Sequence, residues 1–263
     1  MGKTETVARQ AANSTTMDRF ARVGLVCRAL LYGLIGVLAV QVAFGGGGHE
    51  ADKSGAISTV AGLPFGAVIL WIMTVGFAAL AVWQASEAVF GAREAKRRVE
   101  SASRVVVYAV VVYSLLRVLL SGHGKSDDQQ SRDVTGMLLG LPAGRFIVGI
   151  IGLGLVALGV YWVWYGYKKK FRRELGPMSP RASKVMNRLG MIGYAARGLI
   201  AALAGVFVVE AAITYDPDKA GGIDATLRAF AETPVGPWLL LVVALGVLLF
   251  AAYCLGEARW RRT

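Results

Sequence analysis

The sequence predicts an all-α integral membrane protein with six transmembrane helices, built as three parallel copies of a two-helix unit. Three observations carry this. Apolar residues fall into blocks of roughly 20, the length a helix needs to cross a hydrocarbon core of about 30 Å. Basic residues concentrate in alternate loops, and a Pro-x-Gly helix start and an arginine recur at fixed spacing. A chain of 263 residues, 55% hydrophobic and 17% charged, could by length hold one or two soluble domains. A soluble core helix keeps a polar face, however, and these blocks have none.

In chain order, residues 1–19 form a polar tail, expected on the cytoplasmic side. The first apolar block, 23–44, is too long for a cleavable signal and lacks an Ala-x-Ala exit, so it is expected to remain as an anchor. Further clear blocks lie at 66–85, 146–167, 189–213 and 237–255. A sixth, 105–120, is shorter and contains Arg117. It is needed because otherwise the long basic segments on either side of it would fall on opposite faces.

The net charge of +12 would suggest a polyanion partner in a soluble protein, but its placement points to topology. Arg19 and Arg22 precede helix 1, Arg93 to Arg98 separate helices 2 and 3, Lys168 to Arg188 separate helices 4 and 5, and Arg259, Arg261 and Arg262 follow helix 6. The other three loops are poor in basic residues and carry Asp52, Asp127, Asp128, Asp133, Asp216, Asp218, Asp224 and Glu232. The positive-inside rule then puts both termini in the cytoplasm of a cell-membrane protein, with anionic lipid headgroups the expected contact of the basic face. No stacking aromatic series accompanies the basic runs, so nucleic acid is not an expected partner. Cys27 and Cys254 fall inside helices and read as packing residues in a reducing compartment.

The copies are visible in the residues. Leu63-Pro64-Phe65-Gly66, Leu141-Pro142-Ala143-Gly144 and Thr233-Pro234-Val235-Gly236 each precede the second helix of a unit, with proline expected in its first turn. Nineteen residues after each proline stand Trp83, Tyr161 and Tyr253, expected near the cytoplasmic interface; twenty-three after stand Glu87, Tyr165 and Glu257. In the first helices, Arg28 and Tyr32 recur as Arg104 and Tyr108, while the third copy keeps Gly193 and Arg197, matching Gly24 and Arg28. Thirteen residues beyond each arginine stand Gln41, Arg117 and Glu210. The units are 20–92, 98–170 and 188–260, with a basic cytoplasmic linker at 171–187. Each returns to its starting side, so the copies are parallel repeats. A pseudo-threefold ring of hairpins is the natural arrangement, and a linear row the alternative.

This pattern, a Gly-x-x-x-Arg start to the first helix and a Pro-x-Gly start to the second in three copies, resembles the bacterial membrane proteins of the domain of unknown function 1206, over residues 20–260. The second copy departs from it, with Glu100 where Gly24 stands in the first. The resemblance implies an architecture and no activity.

Ionisable residues inside a membrane cost about 2.5–3.5 kcal/mol each even on lenient scales, so they are the candidate site. Arg28, Arg104 and Arg197 lie at matched depth near the cytoplasmic end. One reading pairs them within hairpins, Arg28 with Glu87 and Arg197 with Glu257, leaving Arg104 opposite Tyr165. The other gathers the three arginines into a ring that keeps positive charge and binds an anionic ligand or lipid headgroup. Gln41, Arg117 and Glu210 form a matched external set, read either as an Arg117 to Glu210 staple or as the outer gate of a polar path. Gly33, Gly36, Gly149, Gly152, Gly154, Gly159, Gly198 and Gly205 suit close helix approach. His49 and His123 lack partners at ligand spacing, so neither metal nor cofactor is expected. No catalytic motif is present, and a non-catalytic role is expected. Two functions remain: handling of an anionic ligand, or a structural subunit of a larger membrane complex.

Overall fold

The computed structural model describes residues 15–44, 51–86, 88–89, 95–121, 127–220 and 236–261. Glu87, His49 and His123, singled out above, lie outside the described residues. The long helices are α1 (Thr15–Ala43), α3 (Gly66–Ser86), α4 (Ala95–Ser121), α6 (Gly144–Tyr167), α7 (Pro180–Thr214) and α8 (Gly236–Trp260). Two short helices, α2 (Lys53–Ala61) and α5 (Asp127–Leu139), precede α3 and α6. Among the described residues no strand forms beyond one isolated bridge, Leu175 with Arg261.

Among the described residues, five segments are long and apolar enough to cross a membrane: Arg22–Ala43, Gly66–Ser86, Gly144–Tyr167, Pro180–Thr214 and Gly236–Trp260. Their outward faces carry large apolar side chains such as Val68, Ile72, Phe146, Ile150 and Val242, each more than half exposed. A soluble fold does not leave that much contiguous apolar surface in water. Helix α4 contains the shorter predicted block 105–120.

The Pro-x-Gly motif works differently from the sequence expectation. Pro64 and Pro142 are not in the first helical turn; they occupy the second position of a tight turn, closed by Gly66 N–H to the Leu63 carbonyl and Gly144 N–H to the Leu141 carbonyl, both at 2.8 Å. The third residue of each turn, Phe65 or Ala143, is left-handed, at φ 65° and 63°. The glycine is demanded by proximity: a Cβ on Gly66 would stand 2.9 Å from the Ala61 carbonyl oxygen, and one on Gly144 2.9 Å from the Leu139 Cα. The turn thus folds the second helix of the unit directly back against the end of α2 or α5. At the other end, α7 begins where Ser179 accepts a hydrogen bond from Ala182 N–H and Pro180 pre-sets the first turn.

Packing runs from α4 to α3, α3 to α1, α1 to α8, α8 to α7 and α7 to α6. The first helix of each copy lies on the second helix of the preceding copy, and for α6 on α7 and α8 on α1 these contacts between copies are the most extensive in the molecule. Within a hairpin, α1 packs on α3 and α7 on α8, but α4 and α6 form no comparable interface. The arrangement is an arc of helices whose two ends flank a seam inside the second copy.

The α6–α7 contact depends on small residues. A Cβ on Gly205 would meet Val156 N at 2.6 Å, and one on Gly152 would meet Val209 N at 2.8 Å, so side chains are excluded from this crossing. Gly154, on the same helix, has open space around it. Gly205→Leu is therefore expected to cost about 1–3 kcal/mol of overpacking, whereas Gly154→Leu leaves stability level or slightly improved. Thermal unfolding of the two variants in a neutral detergent distinguishes them.

Candidate functional site

Three helices bring an arginine to the same end of the molecule, each from a position one copy apart in the sequence. Arg28 on α1 is buried, with 8% exposure. It donates to the Tyr108 hydroxyl at 3.1 Å and pairs with Glu257. Glu257 also pairs with Arg261 one turn on, and Arg261 reaches Glu174 at 3.2 Å. Glu174 accepts from Arg104 at 2.8 Å and from the Tyr165 hydroxyl at 3.0 Å. One continuous polar network therefore joins all three copies and the linker.

This corrects the pairing expected from sequence. Glu257 serves Arg28 from a different copy, and Arg197 of its own hairpin takes no carboxylate among the described residues. The reason is the packing order: Arg28 and Arg197 each face the second helix of the preceding copy. For Arg28 that helix carries Glu257; for Arg197 it carries Tyr165. The arginine opposite the missing acid is thus Arg197 and not Arg104. Arg197 instead lies 3.9 Å from the centroid of Trp162 on α6, with Tyr32 and Phe250 rings each at 5.4 Å, a cation–π box that partly offsets its burial.

Arg104 obtains a carboxylate from the linker, which sequence reasoning treated as a basic surface segment. Lys170–Glu174 is a 3-10 turn whose Phe171 is fully buried against Tyr194 and Tyr253. Gly176 N–H donates to the Trp260 carbonyl at 2.6 Å, tying the linker to the end of α8. The one signal available was Glu174 itself, the single acid within Lys168 to Arg188. Burial alone would raise its carboxyl. Arg104 and then Arg261, with hydrogen bonds from Arg104 and Tyr165, outweigh that and hold it well below the usual carboxylate range.

Arg28, Arg104 and Arg197 line one cavity of about 500 Å³ with Glu174, Tyr108, Tyr165 and Tyr194. Its remaining walls include Leu31, Phe77, Val107, Val111, Leu158 and Trp162. That is the size and mixed lining of small-molecule sites in general. Arg28 Nε, buried at this wall, has no hydrogen-bond partner among the described residues. Tyr253, expected at an interface, is fully buried, while Trp83 lies under the Arg261 guanidinium at 4.3 Å.

Among the described residues the opposite end shows no such convergence. Glu210 pairs with Lys219, just beyond its own helix, at 3.5 Å, so the expected staple to Arg117 is replaced by a local contact. Gln41 is exposed and Arg117 partly buried. Cys27 and Cys254 are buried free thiols. Among the described residues no cluster of His, Cys, Asp or Glu could hold a metal ion.

Fold and site together define a helical protein of membrane character, made of three tandem repeats. The chain belongs to the Domain of Unknown Function (DUF1206) family, whose profile matches residues 23–91, 99–169 and 192–261. It is 27% identical over 249 residues to an uncharacterized protein of Bacillus subtilis (strain 168), YxxB, covering 91% of this chain and 89% of that one. No solved structure matches it.

Glu174 tests the electrostatics of the site. Its lowered folded pKa means it contributes stability above the unfolded glutamate value near 4.3, and that contribution is lost as pH falls through the folded value. Glu174→Gln should be less stable than wild type at pH 7 by about 1–3 kcal/mol, the range for charged hydrogen bonds. The gap should narrow as pH drops below about 4, read from unfolding curves across pH.

Proposed function

We propose that this protein is a six-span, non-catalytic protein of the cell membrane, with both termini cytoplasmic, that binds an anionic ligand in the arginine-lined cavity. The observation that carries the reading is Arg197: a guanidinium on a cavity wall with aromatic faces around it and no carboxylate among the described residues. The ion-pair network beside it sets Arg28, Arg104 and Arg261 against Glu174 and Glu257. With Arg197 counted, the described residues here hold two more positive charges than negative ones, at a place where an uncompensated charge is expensive. A bound carboxylate or phosphate removes that excess through charge-assisted hydrogen bonds.

The sixth crossing is α4. Arg104 at its base is neutralised by Glu174, which leaves Arg117 as the charge within the block 105–120. The basic segment after α6, the start of α7 and the end of α8 share one end of the molecule, as the Gly176 to Trp260 hydrogen bond requires. Their lysines and arginines make that end cytoplasmic by the positive-inside rule.

Calorimetric titration of octyl phosphate into the purified protein in a neutral detergent tests the proposal. Loss of one charged hydrogen-bonding partner, about 1.5–3 kcal/mol, predicts at least roughly tenfold weaker binding to Arg197→Ala, with partial recovery in Arg197→Lys. Equal binding to wild type and Arg197→Ala, or no binding to either, overturns it.

A further inference from the structure

The cavity is graded along the helix axes, and the grading constrains the ligand. Arg104 and Val111 are both on its wall, seven residues apart on α4, which is about 10 Å at 1.5 Å per residue. Arg104 and Tyr165 lie at the polar end with Glu174, while Val111 and Leu158 each stand seven residues further from it along α4 and α6, and Phe77 packs near Tyr108 between them. The apolar part reaches the seam between α4 and α6, the hairpin whose helices do not pack together. Val107, on the α4 side of that seam, is 42% exposed although it lines the cavity.

A small hydrated anion has no use for the apolar half of this space, and an uncharged lipid chain has none for the arginines. Resting on the anion-binding reading above, we infer that the ligand is amphipathic: a phosphate or carboxylate headgroup carrying a single apolar chain. The headgroup lies against Arg197 and the buried Arg28, whose Nε lacks a partner. The chain runs along Val111 and Leu158 and enters laterally from the bilayer between α4 and α6.

The test is a chain-length series, from inorganic phosphate and methyl phosphate to dodecyl phosphate, titrated into wild type and Leu158→Asn. Burial of each methylene predicts about a fourfold gain in affinity for wild type until the apolar wall is filled. Leu158→Asn should flatten that gain and leave methyl phosphate binding unchanged. A bismaleimide bridge between Val107→Cys and Leu158→Cys, in a Cys27→Ala/Cys254→Ala background, provides a second measurement should the asparagine variant fail to fold. It should slow dodecyl phosphate exchange at least tenfold without affecting methyl phosphate.

If inorganic phosphate binds as tightly as the long-chain ester, the cavity takes a soluble anion: the amphipathic inference falls and the role of Arg197 survives. The same chain-length slope in wild type and Leu158→Asn would assign it to detergent partitioning and overturn the inference. If no probe in the series binds, the anion-binding reading itself fails.

Discussion

The buried pair of Arg28 with Glu257 is the contact on which the rest depends. It joins the first copy to the third, between residues 229 positions apart in the chain, with both side chains almost wholly removed from solvent. Burying two charges costs several kcal/mol per ion unless geometry and further hydrogen bonds compensate. Here Tyr108 and Arg261 provide that compensation. Because α1 must then lie on α8, the copies interlock across their boundaries, and the hairpins become the weaker unit of packing.

Duplication carries the same contact around the molecule, and divergence at one position changes its chemistry. The site equivalent to Glu257 in the second copy is Tyr165, so the arginine that faces it, Arg197, rests on Trp162 instead of a carboxylate. Tyr165 turns its hydroxyl to Glu174, which also serves Arg104 and Arg261. The linker thus supplies one acid to a network that, among the described residues, would otherwise set Arg28, Arg104 and Arg261 against Glu257 alone. The second copy also has the hairpin whose helices stand apart, and the cavity occupies that gap. The loss of an acid and the opening of a hairpin occur in the same copy.

Most of the helices were legible because their signals are local. Apolar length, basic loop segments and repeated spacing each depend on residues close together in sequence. The short helices α2 and α5 escaped because they lie in segments without sustained apolar periodicity, and their role, receiving the turn at Gly66 or Gly144, is a matter of tertiary proximity. Arg28, Arg104 and Arg197, matched in depth by the repeat, line one cavity. Their partners were not legible, since a repeat fixes depth along a helix but not which neighbouring helix the residue faces. Pairing within a hairpin is the nearest choice in sequence; pairing between copies is what the packing order imposes. Arg261 stood one turn from Glu257 and Glu174 was alone among basic residues, yet both read as surface charge without the fold.

A double-mutant cycle on the buried acid tests this interlocking most directly. Stabilities of Arg28→Met, Glu257→Leu and the combined variant, set beside the same cycle for Arg197→Met with Glu257→Leu, measure which arginine the carboxylate serves. The account predicts strong coupling between Arg28 and Glu257, on the order of 3 kcal/mol because a single removal strands a buried charge, and coupling between Arg197 and Glu257 within about 0.5 kcal/mol of zero. Strong coupling to Arg197 with none to Arg28 would return the pairing to the hairpin and contradict the packing of one copy on the next.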